Sequence, residues 1–456
     1  MSDNAASRDR VATLHALSGG APTDLDRLDF SGSARILASP FAVDEAAAVS
    51  VGAAALAAAE LFEARGGVTQ RVTVDRAHAV AAFSIERLLR VDGRPVEAWA
   101  ELSGAYRTRD ARYIQLHCNF PHHAAGIAQV LGVPEERTAF EQTIAGRDAV
   151  ELESALIEAG MVGAAYRTLD EWNAHPHAVA TVSLPPLELT RLGDAEVTPV
   201  APAERPLAGV RVLDCSRVLA GPVAGMTLAS HGADVLRVGA AHLPTVDNGV
   251  ISTGFGKRAA HIDLRTPEGK ETFTQLLREA DVLIDAFRPG ALERHGFGPA
   301  EVARIRPGIA MVQLCAFDWS GPWGGRRGFD SIIQSTTGIA LAGSEDGTPK
   351  HLPVQALDHA TGYLAAFAAL RALTRRQSEG GSWLARLSLL RTRNWLVDLG
   401  EGGEPEGTVD LGSYTHEVES AFGRLRAVRA FEGLPSTPAR WDRAPGPVGA
   451  DAAEWL

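Results

Sequence analysis

The stretch from residue 206 to about residue 317 alternates short apolar runs with segments that read as helices. Five runs have the length and apolar character of buried strands, at 210–216, 233–239, 259–265, 280–287 and 309–317. Apolar strands that alternate with helices indicate a parallel sheet with helices on both faces. We therefore predict an α/β fold with a parallel, doubly wound sheet.

The intervening segments carry helix signals of their own. Gly221-Pro222 opens a helix that ends near residue 231, and Thr266-Pro267 places an N-cap and a first-turn proline before a helix to about residue 279. No GxGxxG motif follows the first predicted strand, which disfavours a dinucleotide-dependent enzyme.

Composition limits the classes of partner. The 456 residues carry 44 Lys and Arg against 56 Asp and Glu, a net charge of -12, which disfavours nucleic-acid binding. Three widely spaced cysteines form no CxxC pair, so a disulfide framework or zinc module is not expected. The N-terminus has no apolar signal-peptide core, and the alanine-rich run at 46–59 is too short and weakly apolar for a bilayer span. We therefore expect a cytoplasmic protein without membrane association.

The first 200 residues have a different pattern. Residues 1–39 are polar, rich in glycine in places, and expected to be weakly structured. Helices are predicted over 46–65 and 139–160, and strands over 70–77, 112–118 and 162–168. Five prolines between residues 182 and 207 then predict a linker.

One segment is repeated. Residues 44–67 align without gaps on residues 358–381, with an Asp at the start, AAL in the middle and GG at the end of both. Two unrelated alanine-rich helices would also match in part, but the matching ends favour a repeated piece of one fold.

Six motifs in the second half resemble class III CoA-transferases in their order and content. They are PLAGVRVLDCSRVLAGPVAG (206–225), GADVLRV (232–238), GKRAAHIDLRTPEGK (256–270), ADVLIDAFRPGALERHGFG (280–298), GPWGGRRGFDSIIQSTTGIALAGSEDG (321–347) and LPVQALDHATGYLAAFAAL (352–370). The resemblance implies a large Rossmann-like domain and a smaller α+β domain. It also implies two interlocked chains, with the site of one chain facing the small domain of its partner.

The same resemblance divides the chain. Residues 40–200 are similar to the back half of a family unit, including its small domain, and residues 206–400 to the front half that binds CoA. Residues 401–456 are similar to the family's C-terminal closing segment. The chain thus resembles a rearranged or truncated tandem of family units.

The resemblance implies that Asp358 is the nucleophile. In the family, an aspartate attacks the acyl-CoA thioester and forms an acyl-aspartyl anhydride, which is covalent catalysis. Asp358 also directly precedes a helical pattern, so an N-cap role is an alternative. Asp44 is its counterpart in the repeat and is interpreted as an N-cap or a relic, and His359 as a surface residue.

The resemblance also implies a set of CoA-binding residues: Val218, Arg237, Lys257, Arg258, Phe287, Arg288, Arg327 and Phe329. Phe329 stands where the family's racemase branch has a proton-transferring His, and a phenyl ring cannot carry a proton. His117, His122 and His123 lie close in sequence but lack the partners of a metal site, so no metal is expected.

The function implied is transfer of CoA from an acyl-CoA to a carboxylic acid by a homodimer, without a permanently bound cofactor. Two alternatives stay open on the same fold. One is a CoA-binding partner subunit without activity, and the other is an acyl-CoA racemase or dehydratase-like enzyme, although Phe329 argues against the racemase.

Overall fold

A computed structural model of the chain describes residues 3–20, 25–197, 199–344 and 347–456. The helices are α1 Asp3–Leu17, α2 Val43–Ala64, α3 Arg76–Ala82, α4 Ile85–Leu88, α5 Pro121–Leu131, α6 Arg137–Ile144, α7 Ala149–Glu158, α8 Leu169–Asn173, α9 Pro176–Thr181, α10 Ala220–Ser230, α11 Asp247–Thr253, α12 Pro267–Glu279, α13 Pro299–Ile305, α14 Asp330–Thr336, α15 Ile339–Ala342, α16 Ala356–Glu379 and α17 Leu389–Asp398.

The strands are β1 Leu28–Ser31, β2 Ser39–Phe41, β3 Val72–Asp75, β4 Arg90–Val91, β5 Arg94–Pro95, β6 Gly104–Arg107, β7 Tyr113–Leu116, β8 Gly163–Ala165, β9 Leu187–Gly193, β10 Arg211–Cys215, β11 Asp234–Gly239, β12 Lys257–His261, β13 Val282–Asp285, β14 Ala310–Cys315, β15 Ser382–Ser388, β16 Glu401–Gly403, β17 Thr415–Ser420 and β18 Gly423–Val428.

The second half of the chain forms the predicted doubly wound sheet. Its strand order is β12-β11-β10-β13-β14-β15-β9, and the first six strands are parallel. Four of the five predicted strands are β10, β11, β13 and β14. The third, predicted over 259–265, is β12, which begins two residues earlier and ends four residues earlier. The predicted N-cap Thr266 accepts a hydrogen bond from the backbone N–H of Gly269. The α/β fold is confirmed, and the strand order reverses direction between β10 and β13.

The predicted linker contains the seventh strand of this sheet. β9 lies within the proline-rich stretch and pairs antiparallel with β15, from Leu187 opposite Leu387 to Gly193 opposite Ser382. The first half therefore contributes an edge strand to the sheet of the second half, and the two predicted units share one sheet. The prolines precede and follow the strand, which is where an edge strand tolerates them.

A smaller unit lies between α4 and α8. The antiparallel strands β6, β7 and β8 carry α5, α6 and α7 on one face, around a core that includes Tyr106, Phe140 and Leu152. The single helix predicted over residues 139–160 is two helices, because the chain turns at Gly146 between α6 and α7. The predicted strands at 112–118 and 162–168 are β7 and β8.

The two copies of the sequence repeat are the helices α2 and α16, which pack against each other. Each is followed by a strand and then by a helix whose N-cap side chain accepts backbone hydrogen bonds, Asp75 in the first copy and Ser388 in the second. α2 is long and apolar enough to cross a membrane by length and composition, but 89% of its apolar window is buried inside the protein. The repeat is thus a shared local structure at the core.

The N-terminal segment is more ordered than its composition suggests. α1 packs on α2, and its Val11 and Leu14 are almost fully buried; residues 1–2 and 21–24 of this segment lie outside the described residues. At the other end, the β17–β18 hairpin joins β4 of the first half. The last residues then cross to the second half, where the Trp455 indole donates to the Leu276 carbonyl.

Candidate functional site

A cavity of about 340 Å³ lies beyond the carboxyl ends of β10, β11, β12 and β13. Open α/β sheets bind ligands at this edge, where the strand order reverses. Cys215, Gly239, Ile262 and Ala286, which end or directly follow the four strands, all line it. The fold alone therefore places the candidate site here.

The opposite wall comes from the first half of the chain. Phe120, His122 and His123, at the start of α5, line the same cavity. Phe329 lies between the two walls, and its ring stacks on that of His117 with 3.7 Å between the ring centroids. A single chain thus supplies both sides of the cavity.

The turn between β10 and α10 is strained at the cavity wall. Val218 has a φ of 73°, a left-handed conformation that is unfavourable for a β-branched residue. Such strain persists where the surrounding structure holds it and is concentrated at functional sites. The preceding Arg217 lies over the Phe120 ring, with 5.6 Å from its Cζ to the ring centroid, and thereby links the two walls.

Four arginines line the cavity in a protein of net charge -12: Arg217, Arg265, Arg288 and Arg327. Burial lowers the pKa of Arg217, and its neighbours Arg237 and Arg327 lower it further. Burial and the charge of Arg288 lower the pKa of Arg327 in the same way. Arg265 pairs with Asp263, an acidic residue of the same lining, whereas no ion pair with a carboxylate is found for Arg217, Arg288 or Arg327 among the described residues. The cavity wall is therefore net positive and favours an anionic ligand.

Asp358 lies in the first turn of α16 and is 7% exposed. Its backbone N–H donates to the carboxylate of Asp330, 2.9 Å away, and its own carboxyl accepts from the backbone N–H of Ala220 at the start of α10. Burial raises the pKa of Asp358 well above its usual range, and the charges of Asp330 and Glu86 raise it further, while the Ala220 N–H opposes them. Asp358 is therefore a carboxyl group that gains reactivity when it loses its proton.

The N-cap alternative for Asp358 is wrong. Gln355 is the N-cap of α16, and the Asp358 carboxyl faces the start of a different helix, α10.

The interpretation of His359 as a surface residue is also wrong. Its ring is fully buried, stacks on Phe83, and lies 2.9 Å from the Glu86 carboxylate.

Asp44, the counterpart of Asp358, has no comparable surroundings. Its carboxyl accepts from the backbone N–H of Leu37, and α2 has Ala42 as its N-cap, so Asp44 is not an N-cap. Burial raises the pKa of Asp44 to about 6. Neither Asp44 nor Asp358 lines any of the cavities that we find among the described residues, but Asp358 accepts from the Ala220 N–H, two residues after the cavity-lining Val218.

Five of the predicted CoA-binding residues line the cavity: Val218, Phe287, Arg288, Arg327 and Phe329. Arg237 lies beside it and lines a small adjoining space with Arg217 and Val218.

Lys257 and Arg258 are placed elsewhere. Lys257 is buried, and its Nζ donates to Asp214 Oδ2 at 2.8 Å and to the Pro222 carbonyl at 2.6 Å. Arg258 pairs with Asp234 and donates to the Glu454 carbonyl. The structure therefore assigns Lys257 to holding α10 on the sheet and Arg258 to holding the C-terminal tail.

Several cavity residues were not selected from the sequence. Arg217 lies within the SRVLAG motif, so the motif itself contains the signal. Phe120 and His123 come from the first half, and only the fold brings them to the cavity. Asp285 ends β13, and its carboxyl accepts from the Phe287 N–H, which orients the turn that carries Phe287 and Arg288.

The histidines near the cavity are held neutral. Burial lowers the pKa of His117 and of His123 to about 3, and neighbouring histidines and arginines contribute. Arg327 Nη1 lies 3.2 Å from His123 Nε2. Among the described residues, no group of three or more His, Cys, Asp or Glu side chains is arranged to hold a metal ion.

The cavity and its basic wall thus give this α/β protein a candidate site for an anionic ligand at the switch point of the sheet. Residues 207–399 match the family model of CoA-transferase family III. This match spans most of the region that carries the six motifs.

Two relatives each match about two fifths of the chain. "Probable fatty acyl-CoA transferase Rv3272" of Mycobacterium tuberculosis is 34% identical over 40% of this chain and 50% of its own. Succinyl-CoA–D-citramalate CoA-transferase of Chloroflexus aurantiacus is 34% identical over 39% of this chain and 47% of its own.

A longer match is to acetyl-coenzyme A transferase nodX of Hypoxylon pulicicidum, 28% identical over 65% of this chain and 54% of its own. A crystal structure of Rv3272 is 31% identical over 42% of this chain and 56% of that one, with a TM-score of 0.40. The chain spans about half the length of the curated relatives it matches.

Proposed function

We propose that the protein transfers CoA from an acyl-CoA to a carboxylic acid, with Asp358 as the nucleophile. The observation that carries this proposal is the buried Asp358 carboxyl at the start of α10, whose preceding turn lines the basic cavity at the switch point, in a region that matches the model of CoA-transferase family III. The named relatives are transferases of acyl-CoA or CoA, which supports the same reaction class.

In the proposed reaction, a carboxylate oxygen of Asp358 forms a bond to the thioester carbonyl carbon. The C–S bond breaks and CoA leaves as the thiolate, which gives an acyl-aspartyl anhydride. The anhydride is as activated as the thioester, so the acyl exchange is divided into two easier steps. The acceptor carboxylate then attacks the Asp358 carbonyl carbon of this anhydride, which releases the donor acid and gives a second anhydride. The CoA thiolate attacks the acceptor carbonyl carbon of that anhydride, forms the new thioester and releases Asp358 as a carboxylate.

The residues around the cavity have separate parts in this reaction. Arg217, Arg288 and Arg327 would hold the phosphates of CoA, and Phe329 would form the wall beside the acyl group. The start of α10 faces the Asp358 carboxyl through the Ala220 N–H, and its helix dipole stabilises the carboxylate form.

Trapping of the intermediate tests this proposal. After incubation with a panel of acyl-CoAs and hydroxylamine, mass spectrometry should find a hydroxamate on Asp358 and none in Asp358→Asn. Asp44→Asn is the matched control, because it removes the repeat counterpart, and it should be modified like the wild type. Modification at Asp44, with Asp358→Asn active, would contradict the assignment.

Binding without reaction is the outcome that favours a CoA-binding partner subunit. In that case CoA would raise the melting temperature, because it binds the native state, but no acyl exchange would appear.

We further propose a cytoplasmic homodimer. Its state can be measured by light scattering, and a monomer would show that one chain completes its own site.

A further inference from the structure

A small space adjoins the basic cavity at the strained turn that carries Val218. Phe120, Arg217 and Val218 line both the cavity and this small space, and residues of α10 and α11 complete its lining. It leaves about 10 Å³ for the centre of a water-sized group. That is room for one ion or one carboxylate group, but not for a phosphate with its four oxygens.

Arg237 lines the small space without a protein partner. A guanidinium carries five N–H donors and no acceptor. No hydrogen bond or ion pair of Arg237 is found among the described residues, and its Nε is fully buried. Buried donors and charges are normally paired with a protein group, with water or with a ligand. Arg237 therefore offers donors that an anionic ligand can fill.

The acidic residue opposite Arg237 in the sheet already has other partners. Arg237 in β11 is in register with Asp214 in β10, so their side chains lie on the same face of the sheet. Asp214 Oδ2 accepts from Lys257 Nζ at 2.8 Å, and Asp214 Oδ1 accepts from the Ser216 hydroxyl. Since Arg237 bonds to neither oxygen, this face holds two cations for one carboxylate.

A second guanidinium adds to the positive charge of the small space. Arg217 donates to the Pro244 carbonyl at 3.1 Å, which does not neutralise its charge. Burial lowers the pKa of Arg217, and the charge of Arg237 lowers it further. No Asp or Glu is among the described residues that line the space. An anion between the two guanidinium groups would therefore relieve their repulsion.

We propose that Arg237, together with Arg217, binds a small monoanion in this space, either a free halide or a carboxylate group of the acid substrate. The chemistry of recognition is the same for both, since a guanidinium donates charge-assisted hydrogen bonds to the anion. A substrate carboxylate held there would be a second one, because the first reacts. Only this second source rests on the proposed function.

Thermal stability tests the site without any substrate. An anion that binds the native state raises the melting temperature as its concentration increases. At constant ionic strength, with the larger methanesulfonate as the balancing anion, bromide and formate should each raise the melting temperature of the wild type. Arg237→Met should abolish this rise, because it removes the charge and keeps an unbranched side chain.

Arg288→Met is the matched control, because Arg288 lines the large cavity but not the small space. It removes the same charge and should keep the response to bromide and formate. A response that persists in Arg237→Met, or that is lost in Arg288→Met alone, would overturn the proposal. A wild type that responds to neither anion would overturn it as well.

A crystal soaked in bromide locates the anion without any variant. The anomalous signal should lie between the guanidinium groups of Arg217 and Arg237. If Arg237→Met does not fold, this measurement carries the test. Signals confined to other parts of the molecule would reject the site.

Two acids of equal chain length separate the two sources of the anion. Succinate and butanoate differ by one carboxylate, and each is offered as acceptor with the same acyl-CoA. If the space holds a substrate carboxylate, the ratio of the succinate KM to the butanoate KM should rise by about 10-fold in Arg237→Met, since a hydrogen bond to a charged group is lost. An unchanged ratio, together with a bromide response in the wild type, assigns the space to a free halide.

Failure of this inference differs from failure of the proposed function. A wild type that transfers CoA but responds to neither bromide nor formate rejects the anion site and leaves the proposed function standing. A wild type that transfers no CoA rejects the proposed function, while the stability comparison and the bromide signal still decide whether the space binds an anion.

Discussion

Lys257→Met is expected to lower the free energy of unfolding by about 3–5 kcal/mol, because it leaves a buried carboxylate without its partner. Asp214 is fully buried, and Lys257 Nζ is its cationic partner at 2.8 Å. The remaining bond to Asp214 from the Ser216 hydroxyl does not neutralise its charge. Urea denaturation, followed by circular dichroism, measures the loss.

The matched control removes both charges. In the double variant Asp214→Leu and Lys257→Met, no buried charge is left unpaired, so most of the lost stability should return. Folded Lys257→Met should keep its affinity for CoA, because the lysine does not line the cavity. If Lys257→Met instead lost CoA binding while its stability was unchanged, Lys257 would belong to the CoA site.

The position of Lys257 shows that a sequence motif can predict a backbone segment without predicting where its side chains point. The GKR motif correctly predicts a segment near the first strands of the sheet, but it does not give the direction of each side chain. The Lys257 Nζ donates to the Pro222 carbonyl beneath α10. Gly225 makes room for the Nζ there, because a Cβ at residue 225 would lie only 2.9 Å from it. That direction depends on the packing of α10, which the sequence of the motif does not specify.

The parallel sheet was predictable because its strands are apolar on both faces and its helices carry their own start signals. β9 was missed because prolines on both sides of LELTRLG indicated a linker. Its role depends on the exposed edge of β15, a partner almost 200 residues away. Pairing over that distance leaves no local signal in either strand.

The site was predictable in one half and not in the other. Arg288, Arg327 and Phe329 follow motifs of the second half, and the structure places them at the cavity. Phe120 and His123 come from the first half, where the sequence offers no reason to select them over other aromatic or basic residues. Only the packing of the two halves brings them to the second half's site.

Gly362→Ala is expected to slow acylation of Asp358 by about 100-fold, since a displacement of about 1 Å at a reacting group costs that much. A Cβ at Gly362 would lie 2.6 Å from the Ala220 carbonyl oxygen and 2.7 Å from the Val223 Cβ. α16 and α10 must therefore move apart. The movement carries the Ala220 N–H away from the Asp358 carboxyl, which lies one turn earlier in α16.

Gly52→Ala in α2 is the matched control, because α2 is the repeat counterpart of α16. Its Cβ would meet only side-chain atoms, Val74 Cγ2 at 3.1 Å and the Phe30 ring at 3.3 Å, which can shift. Both variants should stay folded, with an overpacking cost of about 1–3 kcal/mol for Gly362→Ala. Hydroxamate formation under single-turnover conditions should fall only in Gly362→Ala. An equal rate in both variants would show that the spacing of α10 and α16 does not control the reactivity of Asp358.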